Sequence, residues 1–231
     1  MEATSKFLPR WFTIWFYIAT VILFAGGLAN KLAGGRIEGF NHLGAAVGIF
    51  AMYLLTLFVW RYRSFFSAFV TKIPLPILLQ SVLVGWIFSQ IDELINFYTN
   101  PLFPGVTLLQ DLGLTSLMYI PGHIGWFWVL RRYAFTPAEA LMTGGLSLGL
   151  FEVFSGGAAG LLAIFILPFI MMIHGSHMVM PKLGLGATLT YEGQKETRWK
   201  YVVGVAIPAI GVGLGIGLAY GLVFFLQGTP V

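Results

Sequence analysis

The stretch Ser89-Gln90-Ile91-Asp92-Glu93-Leu94-Ile95-Asn96-Phe97-Tyr98-Thr99-Asn100-Pro101 closes an apolar run that starts near Pro74. At 100° per residue, Ser89, Asp92, Glu93, Asn96 and Asn100 share an arc of roughly 100° on a helix, with apolar residues around the rest. A helix with lipid on one side and carboxylates on the other needs a polar partner or a wet cavity. That conflict, an oily helix with an acidic face, sets the fold class.

Composition agrees. The chain is 58% hydrophobic and 10% charged, with 29 glycines and a mean hydropathy of +0.85; ordinary soluble domains are roughly 25% charged. No stretch alternates as a membrane barrel strand does. Backbone hydrogen bonding inside lipid therefore predicts an all-α, polytopic membrane bundle. With no cysteine, disulfides, thiolate metal sites and cysteine nucleophiles are excluded.

Working outward, hydropathy predicts a single membrane-embedded domain with seven spans: residues 11–29, 42–60, 74–97, 112–130, 137–154, 159–180 and 201–226. Between the second and third, Arg61, Arg63 and Lys72 bracket a phenylalanine-rich segment suited to the membrane interface. Thr136-Pro137-Ala138-Glu139 reads as a capping box that starts the fifth span. Residues 181–200 read as the longest polar loop. With the N-terminus inside, the cytoplasmic segments hold Lys6, Arg10, Arg61, Arg63, Lys72, Arg131, Arg132, Lys182, Lys195, Arg198 and Lys200. Those are eleven of the thirteen basic residues, the excess that the positive-inside rule requires. The C-terminus is then outside. The net charge of +4 follows from topology and needs no nucleic-acid partner. The expected location is a bacterial or archaeal cytoplasmic membrane.

Counting depth at about 1.5 Å per residue separates the ionisable groups into two tiers. Asp92, Glu93, Asn96, Asn100 and Glu152, with His42 nearby, belong to the outer one; His123, His174 and His177 belong to the inner one. Glu152 sits among apolar neighbours, where a lone carboxylate must find a partner or a proton. His174 and His177 share a helix face with Met171 and Met178 close to it, donors suited to copper or another soft metal; two histidines among gap-filling methionines also suit plain packing. A haem between His123 and His174 has no second sign in its favour. Gly211 with Gly215, and Gly213 with Gly217, form small-xxx-small rows that allow close helix packing, within the chain or in a homo-oligomer. They lie inside lipid and make no nucleotide loop.

The chain has no HExxH, GxSxG or Walker motif, and its last span has no lysine for a retinal Schiff base. The order of acidic and histidine-bearing spans loosely resembles that of intramembrane glutamate or metal-dependent proteases, with no spacing that carries residues across. Groups at two depths point first to a permease for a small solute, proton or cation, with the carboxylates and His123 along its path. A membrane-embedded enzyme acting on lipid or peptide bonds, or an accessory subunit of a membrane complex, are the alternatives. An enzyme needs its acid, base or metal ligands at one depth, so the distance between Asp92 and His174 discriminates between them.

Overall fold

The computed structural model describes residues 7–33, 42–99, 105–155, 167–189 and 194–227. Among them are eight helices: α1 (Arg10–Leu32), α2 (His42–Arg61), α3 (Arg63–Val70), α4 (Ile77–Thr99), α5 (Leu108–Arg132), α6 (Pro137–Ser155), α7 (Leu167–Leu189) and α8 (Trp199–Gln227). The described residues form no strand beyond one isolated bridge, Tyr133 with Lys195.

Local chemistry places the helix ends. At α5, Thr107 and Gln110 form a reciprocal capping box, so the helix starts four residues before the expected span. At α6, the Thr136 backbone N–H donates to Glu139 Oε2 (2.8 Å) and the Glu139 N–H to Thr136 Oγ1 (3.2 Å), as the sequence pattern predicts. Lys200 Nζ meets the same carboxylate at 3.0 Å, and the Tyr201 hydroxyl donates to it at 2.5 Å, tying the first turn of α8 to that of α6. Between α2 and α3 the chain turns at Tyr62 and bends by 83°.

α7 ends differently from expectation. It runs through Pro181 to Leu189, nine residues past the expected end at 180, so half of the supposed polar loop is helix. Pro181 lacks an N–H and frees the carbonyl four residues back, that of His177. The Trp126 indole donates to the next carbonyl, Met178 O, at 2.6 Å. Pro181, Leu183, Gly184, Leu185 and Leu189 are buried; burial of this segment outweighs its Pro and Gly content.

α7 is the central element, packed against α1 through α6. The pairs α1–α2, α4–α5, α5–α8 and α6–α7 run antiparallel. Phe7 stacks on Trp60 and Tyr17 OH lies 3.1 Å from Tyr53 OH across α1 and α2. The Trp86 indole donates to Ser116 Oγ (2.9 Å) between α4 and α5. On α8, Gly211 and Gly215 lie against Pro121–Gly122 and Leu117–Met118 of α5, so this small-residue row is used inside the chain. Gly145 of α6 abuts the Met171 backbone, and Gly175 of α7 abuts Leu141.

Among the described residues, three helices are long and apolar enough to cross a membrane: Arg10–Leu32, Ile77–Tyr98 and Trp199–Phe225. The bent pair Ala46–Arg61 and Arg63–Val70 makes up to four, against the seven of the sequence reading. The difference lies mainly in α5, α6 and α7. α6 carries two glutamates, Glu139 and Glu152, and α7 carries two histidines, Lys182 and two prolines. An enclosed helix such as α7 does not need the apolar surface that lipid demands of α1 and α8. Val21, Leu32, Leu214 and Phe225 of those outer helices are all more than 60% exposed, apolar surface of the kind that lipid covers.

Candidate metal centre

α4 and α7 together build the site. Asp92 lies fifteen residues from the start of α4 and His174 fifteen from the end of α7, about 22 Å of helix in each case. The helices are antiparallel, since Gly184 near the end of α7 packs on Val70 just before α4. Asp92 and His174 therefore meet at one level. One donor atom from each of Asp92, His174 and His177 lies within 4.8 Å of the other two, and all three residues are buried. The two tiers of the sequence reading merge here. Because α7 runs on to Leu189, both histidines lie in mid-helix rather than near the inner end of a span.

The donors continue onto α5. The ring centroids of His123, Tyr119 and His174 lie 5.4, 5.2 and 5.8 Å from that of His177, all edge to face. His123 rests on α4 at Gly85, where a Cβ would collide with its imidazole. Both ring nitrogens of His123 and of His177 are buried with no hydrogen-bond partner among the described residues. Buried polar atoms are nearly always paired, so two imidazoles in this state are an anomaly a ligand would resolve. Beyond Asp92, buried Glu93 interacts with the buried carboxyl of Asp111 in the first turn of α5.

Asp92 and the three imidazoles thus form one buried cluster, with Glu93 and Asp111 paired beyond it. No lysine or arginine occurs in the sequence between Lys72 and Arg131, so neither α4 nor the part of α5 beside the cluster carries a basic side chain.

The other expected residues fall differently. Asn96 is half-buried one turn beyond Asp92. Asn100 lies outside the described residues, as do the side chains of Glu152 and His42. Met178 sits with its Cβ and Cγ over Gly144 of α6, and the Met171 backbone lies on Gly145. The donors of the Asp92, His174 and His177 group are nitrogen and oxygen, a set that suits zinc, iron, manganese or nickel. Sequence reasoning missed Asp111, Tyr119 and Gly85. The Thr107–Gln110 capping box was the available signal for Asp111: starting the helix at Leu108 moves this residue from a loop into its first turn. Tyr119 lies one turn before His123 on the same face.

No protein-family model matches this chain, and no curated protein or solved structure proves similar to it.

Proposed function

We propose that the chain is a membrane-embedded, metal-dependent enzyme that hydrolyses a membrane-borne substrate, with Asp92, His174 and His177 as the metal ligands. The observation that carries this reading is the meeting of these three buried donors at one level, within 4.8 Å of one another. Two imidazoles and a carboxylate are a recurrent set for catalytic zinc and non-haem iron, and three protein donors leave a position open for substrate or water. A divalent cation would also balance the carboxylates of a region with no nearby lysine or arginine in α4 or α5. Bound there, it would polarise a carbonyl and acidify water. Glu93, adjacent to Asp92 and interacting with Asp111, is then the proton acceptor. His123 holds the His177 ring edge-on.

The same proposal takes the seven long helices as seven membrane spans with the N-terminus cytoplasmic and the C-terminus outside, in a bacterial or archaeal cytoplasmic membrane. Antiparallel packing of α1 with α2, α4 with α5, α6 with α7 and α5 with α8 supports the alternation. The basic residues support the orientation.

The test is metal content. Purified protein should hold about one divalent transition-metal ion per chain, since a preformed three-donor site binds tightly at neutral pH. Asp92→Asn should weaken its retention, and His174→Gln with His177→Gln should abolish it while the protein still inserts and purifies. A metal-free wild type, or a double variant that keeps its metal, overturns the assignment.

A permease for protons or cations is the second reading. It is favoured by the continuity of titratable groups from Asp111 and Glu93 through Asp92, His174 and His177 to His123. In proteoliposomes it predicts pH-dependent flux that survives chelation and is lost in His123→Gln; the enzyme reading predicts no flux.

A further inference from the structure

Away from the cluster, a cavity of about 720 Å³ opens at the other end of α7, where Lys182 faces α3 and the first residue of α6. Arg63 and Lys182 bring two cations to its wall from two different helices. Ser64 and Ser67 contribute hydroxyls, and the Pro137 ring closes one side. Arg63 is held in place: its guanidinium carbon lies 4.3 Å from the Trp60 ring centroid, and Nη1 donates to Trp60 O at 3.2 Å. The nearby carboxylate, Glu139, is engaged by Lys200 and Tyr201 and also attracts Lys182.

We propose that this cavity binds the phosphate of an anionic phospholipid headgroup. Guanidinium, ammonium and hydroxyl groups are the ones that recognise phosphate. The lipid source follows from α3. This helix turns 83° away from α2, buries Val70 and exposes Phe65 and Phe69, 77% and 63% accessible. An amphipathic helix of that kind lies in the interfacial plane with its aromatic rings among acyl chains, which sets Arg63, Ser64 and Ser67 at headgroup level. Basic groups at this level hold anionic lipid.

The experiment uses the full chain in detergent, with thermal stability followed during titration by phosphatidylglycerol, phosphatidylcholine or inorganic phosphate. Phosphatidylglycerol should stabilise the protein saturably and phosphatidylcholine should not. Arg63→Gln and Lys182→Gln should each weaken the apparent affinity by about tenfold, the usual effect of losing one charge-assisted bond to phosphate. Both variants should keep the metal of the α4–α7 site, so the two proposals fail separately. If a variant does not fold, Ser67→Ala with native mass spectrometry of retained lipid gives the second readout, with less phosphatidylglycerol carried than by wild type. Equal response to the two lipids, or an undiminished response in the variants, overturns the proposal. Full saturation by inorganic phosphate, with nothing further from phosphatidylglycerol, overturns the lipid assignment in favour of free phosphate.

Discussion

A buried imidazole normally satisfies at least one ring nitrogen, because an unpaired polar atom in a low-dielectric interior costs about 1–3 kcal/mol. His123 and His177 both depart from this, and their roles can be separated. If His177 is a ligand and His123 its packing partner, His123→Gln keeps about one metal per chain yet loses it to a chelator 10- to 100-fold more readily, the range for residues that orient a ligand. Gly85→Ala should have the same kind of effect, since its Cβ would push the His123 ring off its seat. Complete loss of metal in His123→Gln would instead make His123 a ligand and require the donor set to be redrawn. Each histidine was legible in the sequence as an ionisable group inside lipid. Their meeting with Asp92 was not, because depth depends on where each helix ends.

At the scale of the element, the long apolar runs gave up their helices readily, since a spanning or buried helix has few ways to hide its signal. α7 was the exception. Pro181, Gly184 and Gly186 punctuate its second half as a loop would be punctuated, and only packing against α3 and α5 makes it helix. The contact of α6 with α7 offers a quantitative check. A Cβ on Gly145 would meet backbone atoms of Met171, which cannot swing aside, whereas one on Gly217 of α8 would meet nothing. Gly145→Ala should therefore destabilise the protein by about 2 kcal/mol, and Gly217→Ala should stay within about 0.5 kcal/mol, both read from thermal unfolding in detergent. Equal effects would mean that the tight α6–α7 approach does not set the position of the histidines.

In the whole molecule, an enclosed helix that carries the donors is surrounded by outer helices with exposed apolar surface. The proposed topology is open to a direct check. A reporter active only in the cytoplasm should work when inserted between Arg132 and Thr136 or between residues 191 and 194, and should be silent when inserted between residues 101 and 105. Activity at the last position would invert the orientation and with it the side on which the basic cavity opens. The central claim is narrower than topology: α4 and α7 hold a metal through two imidazoles and one carboxylate. X-ray absorption at the metal edge of the purified protein tests it most directly. The account predicts a first shell of nitrogen and oxygen only, at about 2.0–2.2 Å, with the outer-shell scattering of two imidazoles that disappears in the His174→Gln, His177→Gln variant. A sulfur shell at about 2.3 Å, or an edge signal that survives in that variant, would contradict it.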